Sequence, residues 1–210
     1  MIKAVLFDLD GVLINSVETW HKSLNKTLRN FDKKEITFDY YRKFRSGKTV
    51  SSDIRDFFGE LTKEKFLEIK NFYYSQFISS IKDIEINPES LAVLSRLKET
   101  KKLGLVTNST KTIVDNLFLY FNFYRYFDTI VNGSMGSPKP SPDLILMACK
   151  DLGVAPEEGI YIGDTTTDIQ AARAAGMKAI FYSEDSEAEA DYNARFLSDI
   201  LTIIDSADNL

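Results

Sequence analysis

Short apolar runs recur along the chain, and each one ends in polar residues typical of turns. The first occupies residues 1–8, and further runs occupy residues 103–106, 159–162 and 179–182. Nearly continuous apolar runs of this length are typical of strands that a parallel sheet buries on both faces. The pattern therefore predicts a parallel sheet built from these strands, with a further short strand at residues 129–131.

Helical patterns with clear start and stop signals lie between these strands. An Asn-Pro pair at residues 87–88 and a Ser-Pro pair at residues 141–142 each combine a capping residue with a proline, as helix N-termini often do. Two helices are expected to end at Gly153 and Gly176, because glycine is the commonest residue just past a helix. The alternation of strands and helices predicts an α/β fold with a mainly parallel sheet.

Residues 17–85 break this alternation, because they contain only helical patterns over a length far beyond an ordinary connection. We expect them to form an inserted helical subdomain, a cap, while residues 1–16 and 86–210 form the α/β core. Half of the aromatic residues lie in the insertion, and we expect them to build its own small core. They include Trp20, Phe44, Phe57, Phe58, Phe66, Phe72, Tyr73 and Phe77.

Composition excludes several classes of protein. The 210 residues include 26 Lys and Arg against 31 Asp and Glu, a formal charge of −5, and the basic residues form no stripe. Nucleic acid is therefore not an expected partner. No apolar stretch approaches the roughly 18 residues of a membrane span, and the first residues run into a strand rather than a signal peptide, so we expect a cytoplasmic protein with no membrane partner.

Cys149 is expected to be a small buried side chain, and the acidic residues 183–191 a solvated loop.

Polar side chains follow the predicted strands at their carboxyl ends, where open α/β sheets bind ligands. Asp8 and Asp10 follow the first strand, and they point the same way because side chains alternate along a strand. Prolines on both sides of Lys139 restrict its backbone. The other candidates at this edge are Thr107, Asn108, Asp164 and Asp168. The sequence thus predicts one polar site at the edge of the sheet.

This set of side chains predicts phosphoryl transfer. A phosphate dianion needs cationic and hydrogen-bonding partners, which Lys139, the Thr107 hydroxyl and the N–H groups of the helix start after Asn108 would supply. Several carboxylates around a dianion would repel it. A bound Mg²⁺ would remove this repulsion, since it takes oxygen ligands and bridges carboxylate to phosphate. We therefore expect Mg²⁺ as the cofactor and a small phosphoester as the substrate.

Four sequence motifs, in order along almost the whole chain, resemble those of the haloacid dehalogenase superfamily of aspartate-nucleophile phosphotransferases. They are Phe-Asp-Leu-Asp-Gly at residues 7–11, Val-Thr-Asn-Ser at 106–109, Lys-Pro at 139–140 and Gly-Asp-Thr-Thr-Thr-Asp at 163–168. The helical insertion between the first two motifs resembles the cap of the branch that contains phosphoglycolate phosphatases and β-phosphoglucomutases. The resemblance implies a Rossmann-like three-layer core.

The resemblance also implies roles for the carboxylates. Asp8 would attack phosphorus and form an aspartyl phosphate, while Asp10 would first protonate the leaving oxygen and later deprotonate the attacking water. Asp8, the main-chain carbonyl of Asp10 and Asp164 would bind Mg²⁺. Asp168 would orient these ligands, or water molecules, without binding the ion itself. Because Asp10 supports phosphoester chemistry, displacement of halide is not the expected reaction.

The resemblance places the phosphate oxygens against Thr107, the Asn108 backbone and Lys139, with Lys139 also steadying Asp8. The loop that contains Arg45, Gly47 and Lys48 is a candidate for reaching the substrate. Its glycine allows close approach and its two cations suit an anion. The alternative interpretation of this loop, equally open, is a charged turn between two helices.

Three functions stay open at this point, and a phosphatase acting on a small phosphomonoester is the one we expect. A sugar-phosphate phosphomutase would use the same aspartyl phosphate and return the phosphoryl group to an acceptor. A binding protein would keep the fold without turnover. The lone histidine, His21, beside Trp20, is expected to be a partly exposed cap residue rather than a catalytic group. The oligomeric state is not predicted.

Overall fold

The computed structural model describes residues 1–183 and 188–208, so the predicted acidic loop lies partly outside the described residues. The strands in these ranges are β1 (Ala4–Phe7), β2 (Ile14–Asn15), β3 (Glu85–Ile86), β4 (Lys102–Val106), β5 (Thr129–Val131), β6 (Gly159–Gly163), β7 (Lys178–Tyr182) and β8 (Tyr192–Ala194). The α-helices are α1 (Val17–Asn30), α2 (Phe38–Phe44), α3 (Val50–Phe58), α4 (Lys63–Ser79), α5 (Ser90–Lys98), α6 (Lys111–Phe121), α7 (Asp143–Leu152), α8 (Thr166–Ala175) and α9 (Asp199–Asp208). Short 3-10 helices lie at Ile81–Asp83, Phe123–Arg125 and Pro156–Glu158.

The main sheet has six strands in the order β5-β4-β1-β6-β7-β8, and every pair of neighbours is parallel. This confirms the predicted α/β class and all five predicted strands. The sixth strand, β8, was not predicted, because its sequence Tyr-Asn-Ala has no apolar run and it pairs only at the edge, with β7. A separate two-stranded sheet joins β2 and β3.

Alternation along the central strands assigns side chains to opposite faces of the sheet. Leu6 of β1 and Tyr161 of β6 lie directly opposite each other in the parallel register. Both belong to one buried cluster, together with residues of α7 and α8 such as Ile145 and Ile169. These two helices pack against each other and against the sheet. Asp8, two residues beyond Leu6, therefore starts on the face that α7 and α8 cover.

Helix ends follow the local signals that the sequence carries. Helix α7 ends before Gly153 and helix α8 ends before Gly176, and both glycines are left-handed, as predicted. The start of α5 lies later than the Asn-Pro pair indicates. Asn87 Oδ1 instead accepts from the N–H of Glu89 at 3.1 Å. The predicted capping residue therefore stabilises a turn, and the helix begins after that turn, at Ser90.

The chain divides into two compact units, one of Met1–Ile14 with Ile86–Leu210 and one of Asn15–Glu85. The second unit contains α1 to α4, which confirms the inserted helical segment. Trp20, Tyr73 and Phe77 are buried within it, and Trp20 stacks on Phe77 with 3.6 Å between ring centroids. Phe44 departs from the expected aromatic core, since it is 48% exposed. Among the described residues, no helix is long and apolar enough to cross a membrane.

Candidate active site

Asp8 and Lys139 form a buried ion pair at the carboxyl end of β1. Asp8 follows the last residue of the strand, and Lys139 stands shortly before α7 on the same face of the sheet. The Lys139 Nζ lies 3.0 Å from Asp8 Oδ1, and the two side chains are only 3% and 8% exposed. The fold thus brings together two residues that the sequence places in separate motifs, and it removes both charges from water.

The Lys139 ammonium makes its hydrogen bonds to three other oxygens. It donates to Asp168 Oδ1 at 2.5 Å, to the Tyr161 hydroxyl at 2.7 Å and to the Val106 carbonyl at 3.3 Å. These three contacts and the ion pair with Asp8 fix the position of the ammonium. Asp8 Oδ1 is left close to a positive charge but without a hydrogen bond.

Three carboxylates converge at this point. Oxygens of Asp8, Asp164 and Asp168 all lie within 4.8 Å of one another. Asp164 Oδ1, like Asp8 Oδ1, is buried and accepts no hydrogen bond among the described residues. Among the described residues Lys139 is the ammonium in contact with this cluster, so three ionised carboxylates would leave an excess of two formal negative charges. Buried charge without compensation is unfavourable, so this cluster is suited to a divalent cation.

The pKa values of the cluster follow from burial and mutual repulsion. Burial raises the pKa of Asp8 to about 7, the charges of Asp168 and Asp10 add to the rise, and Lys139 opposes it. Burial, followed by the charges of Asp168 and Asp8, raises the pKa of Asp164 well above its usual value. For Lys139, burial alone would lower the pKa, but Asp168 and Asp8 outweigh it and the pKa is raised. The lysine therefore stays charged, whereas the carboxylates need further positive charge.

Asp164 packs directly against the turn that follows Asp8. Gly11 has φ +85°, and a Cβ at that position would lie 2.1 Å from Asp164 Oδ2. Both the left-handed backbone and the close approach require glycine here. The pairing of β1 with β6 brings the two strand ends together, and the missing side chain at Gly11 leaves room for the Asp164 carboxylate.

Asp168 has both carboxylate oxygens engaged within the protein. Its Oδ1 accepts from Lys139, and its Oδ2 accepts from the Thr165 hydroxyl at 2.6 Å and the Thr165 N–H at 3.1 Å. The contacts with Thr165 stabilise the start of α8, because Asp168 satisfies the N–H of the residue that precedes the helix. Asp8 and Asp164 each keep a buried oxygen available, so these two are the better candidates to hold a cation.

The loop after β4 is tied to the segment that carries Lys139. The Asn108 side chain accepts from the Lys139 N–H at 2.8 Å and donates to the Lys139 carbonyl at 3.2 Å. Thr107 is buried, and its hydroxyl accepts from the N–H of Ser109 at 3.1 Å. The Lys139–Pro140 peptide bond is cis. The predicted phosphate-binding residues therefore share one connected loop structure beside Asp8.

Two residues that were not predicted touch this site. Tyr161 places its hydroxyl among Lys139, Asp168 and Val106. Ser109 donates to Asp10 Oδ2 at 2.9 Å. Tyr161 is the side chain with a polar tip in an otherwise apolar strand, and it lies opposite Leu6, two residues before Asp8. A tyrosine at that position of the strand is the sequence signal that could have identified it. The signal for Ser109 is weaker, since it is only a hydroxyl two residues after Thr107.

The loop of the insertion that contains Arg45, Gly47 and Lys48 connects α2 to α3. Arg45 is buried, its Nε donates to Asp53 at 2.6 Å and its Nη1 to Asp56 at 2.5 Å. The guanidinium is thus engaged within its own unit. Lys48 is exposed, and Gly47 has φ +77°. A role of this loop in substrate selection stays a prediction.

His21 is held in a local network of the same unit. Its Nε2 lies 2.9 Å from the Ile36 carbonyl and 3.0 Å from the Asn25 amide nitrogen. The ring lies near those of Phe38 and Tyr41. These contacts give His21 a structural task within the insertion.

Comparison with known proteins identifies the family. Residues 5–182 match the family model described as haloacid dehalogenase-like hydrolase. The chain is 30% identical over 213 residues to a phosphoglycolate phosphatase of Aquifex aeolicus, with 98% of each chain covered. It is 28% identical to the pyrophosphatase PpaX of Bacillus velezensis, with 96% of each chain covered.

A solved structure supports the fold assignment. The β-phosphoglucomutase of Clostridium difficile superimposes with a TM-score of 0.89 at 22% identity, covering 100% of this chain and 98% of that one. At this level of identity the likeness concerns the fold. Together with the family match over most of the chain and the full-length similarity to known phosphatases, it leads to one conclusion: this protein is an enzyme of the haloacid dehalogenase-like hydrolase family.

Proposed function

We propose that this enzyme is a Mg²⁺-dependent phosphatase that hydrolyses a small phosphomonoester through an aspartyl phosphate on Asp8. The observation that carries the proposal is the buried cluster in which Asp8 lies 3.0 Å from Lys139 and within 4.8 Å of carboxylate oxygens of Asp164 and Asp168. A nucleophile, a fixed cation and candidate metal ligands meet there, and phosphoryl transfer needs all three.

Asp8 and Asp164 would hold Mg²⁺, with the main-chain carbonyl of Asp10 as a third protein ligand. The fit rests on the two buried carboxylate oxygens that accept no hydrogen bond and on the excess of negative charge around them. When bound, the ion supplies positive charge that offsets the carboxylates and the phosphate oxygens. Hard oxygen ligands of this kind suit Mg²⁺.

In the first half-reaction, an Asp8 oxygen forms a bond to phosphorus as the bond between phosphorus and the ester oxygen breaks. Asp10 gives its proton to the departing oxygen, which leaves as an alcohol. Lys139 holds a phosphate oxygen and steadies Asp8, while the Thr107 hydroxyl and the Asn108 N–H hold others. In the second half-reaction, Asp10 takes a proton from water, the water oxygen bonds to phosphorus, and the bond to Asp8 breaks to release inorganic phosphate.

The decisive experiment compares Asp8→Asn with the wild type. Phosphate release from p-nitrophenyl phosphate is measured with Mg²⁺ and with EDTA. We expect release that requires Mg²⁺ and falls more than about a thousandfold in Asp8→Asn, because an amide is no nucleophile. Asp115→Asn is the matched control, since Asp115 pairs with Lys111 on the exposed surface of α6 and should leave the rate unchanged.

Unchanged release in Asp8→Asn would contradict the assignment of the nucleophile. A wild type that releases no phosphate from p-nitrophenyl phosphate, phosphoglycolate, pyrophosphate or sugar phosphates would contradict the phosphatase proposal. Pyrophosphate belongs in the panel because one full-length relative is a pyrophosphatase. A sugar bisphosphate that accumulates without phosphate release would favour the phosphomutase alternative.

A further inference from the structure

We propose that Ser109 is a positioning residue that holds Asp10 in the orientation from which it donates its proton to the leaving group. The inference deepens the proposed function and rests on it. Its basis is the hydrogen bond from Ser109 Oγ to Asp10 Oδ2, 2.9 Å long and partly buried, between residues of two different motifs. A carboxyl group that accepts at Oδ2 can carry the transferable proton on Oδ1.

The backbone of Ser109 is held at both its polar groups. Its N–H donates to the Thr107 hydroxyl at 3.1 Å, and its carbonyl accepts from the Gly133 N–H at 2.9 Å. A Cβ on Gly133 would lie 2.2 Å from the Asn108 carbonyl oxygen, so only glycine allows this approach. The hydroxyl of Ser109 therefore projects from a loop whose position is already determined.

The backbone of Asp10 is equally constrained. The Gly11 N–H donates to the Ile14 carbonyl at 2.9 Å, and Asp10 forms a bridge with Ile14. Gly11 in turn packs against Asp164. With the main chain on both sides fixed, the orientation of the Asp10 carboxyl depends on its side-chain torsions, and a hydrogen bond from a fixed hydroxyl selects among them.

The consequence depends on the leaving group. A poor leaving group such as phenolate needs a proton as it departs, whereas p-nitrophenolate departs readily as an anion. Loss of Asp10 orientation should therefore slow the hydrolysis of phenyl phosphate and spare p-nitrophenyl phosphate. A defect in folding, in phosphate binding or in Asp8 would slow both substrates alike.

The test measures kcat/KM of Ser109→Ala on phenyl phosphate and p-nitrophenyl phosphate, because kcat/KM excludes the later hydrolysis of the aspartyl phosphate. We expect a fall of at least about tenfold on phenyl phosphate and a change within about twofold on p-nitrophenyl phosphate. Ser109→Thr keeps the hydroxyl and should retain activity on both. Ser134→Ala is the matched control, since Ser134 accepts from the Lys111 N–H at the start of α6.

A double variant tests the connection to Asp10 itself. In an Asp10→Asn background, Ser109→Ala should cause no further loss on phenyl phosphate, because the group that Ser109 positions is gone. An equal loss on both substrates, or a multiplied loss in the double variant, would overturn the inference. A wild type inactive on both esters and on the phosphoglycolate, pyrophosphate and sugar phosphates of the panel would instead overturn the proposed function.

Discussion

At the scale of single residues, the site is organised around Lys139 rather than around Asp8. The buried ammonium donates to Asp168, Tyr161 and Val106, and it forms an ion pair with Asp8 at 3.0 Å. Tyr161 is central to this arrangement, since its hydroxyl contacts the Lys139 ammonium, the Val106 carbonyl and the Asp168 carboxylate. Burial raises the pKa of Tyr161 well above its usual value, so the hydroxyl stays neutral.

Removing the Tyr161 hydroxyl tests this interpretation. Tyr161→Phe keeps the ring and deprives the buried ammonium of one partner, so we expect the free energy of unfolding to fall by about 1 to 3 kcal/mol. Urea unfolding followed by circular dichroism measures the change. Tyr124→Phe is the control, because that hydroxyl donates to exposed Asp115, and its effect should stay within about 0.5 kcal/mol. Equal effects of the two variants would contradict a special role for Tyr161.

At the scale of elements, single side chains join one element to the next. Asp168 accepts from Thr165 at the start of α8 with one oxygen and holds Lys139 with the other. In the insertion, Arg45 at the end of α2 joins Asp53 of α3, which in turn accepts from the Tyr73 hydroxyl of α4 at 3.2 Å. Burial raises the pKa of Asp53 to about 6 even though Arg45 opposes the rise. The buried Asp53 therefore joins α3 to the end of α2 through an ion pair and to α4 through a hydrogen bond.

Arg45→Met should destabilise the insertion in a pH-dependent way. Loss of one partner from a buried pair costs about 3 to 5 kcal/mol, because the other charge is left uncompensated. A pKa raised on folding contributes stability that is present below the unfolded value and lost as pH rises through the folded value. Without Arg45 the pKa of Asp53 rises beyond about 6. The deficit, meaning the loss in free energy of unfolding relative to the wild type, should therefore shrink as the pH falls below about 6 and Asp53 takes up a proton.

The fluorescence of Trp20 measures this deficit, since it is the single tryptophan and lies buried in the insertion. Urea unfolding is followed at pH 5 and pH 8 for the variant and the wild type. Arg55→Met, at an exposed position of α3, is the matched control. The double variant Arg45→Met with Asp53→Asn should lose the pH dependence. A deficit that is the same at both pH values would contradict the assignment to Asp53.

At the scale of the whole molecule, the parallel sheet concentrates negative charge at one edge. Parallel strands end on the same side, so the groups that follow β1 and β6 must meet there. Folding brings Asp8 and Asp164 together against their repulsion and out of water. This arrangement lowers stability in the absence of a cation, as is common where a site is built for function.

Mg²⁺ should therefore stabilise the enzyme, and most strongly at high pH. In EDTA, stability should fall as pH rises through about 7, because the raised pKa of Asp8 contributes stability only while the carboxyl is protonated. Mg²⁺ at a hundred times its Kd should add about 2.7 kcal/mol to the free energy of unfolding. Thermal melting with and without Mg²⁺ measures both effects.

Asp164→Asn is the informative variant in this experiment. Without metal it should melt above the wild type, because a buried carboxylate with an unpartnered oxygen becomes neutral. With Mg²⁺ it should gain much less than the wild type. Asp115→Asn, at the exposed surface, should behave like the wild type in both conditions. A full Mg²⁺ response in Asp164→Asn would contradict the proposed metal ligands.

The sequence alone determined the class of fold, the strands of the parallel sheet apart from β8, the inserted helices and the family. These features are encoded locally: apolar runs specify buried strands, glycines end helices at Gly153 and Gly176, and the motifs mark the strand ends. Such signals need no contacts between residues distant in sequence, because the periodicity of side chains and the conformations of glycine act within a few residues.

Only the tertiary structure decided which partners the functional side chains take. The contacts of Lys139 with Tyr161, of Ser109 with Asp10 and of Arg45 with Asp53 join residues whose distance depends on sheet register and helix packing. No local pattern distinguishes a buried arginine that joins helices from an exposed one that meets a substrate. The physical reason is that burial and pairing are properties of the assembled chain, since they arise from groups that are distant in sequence.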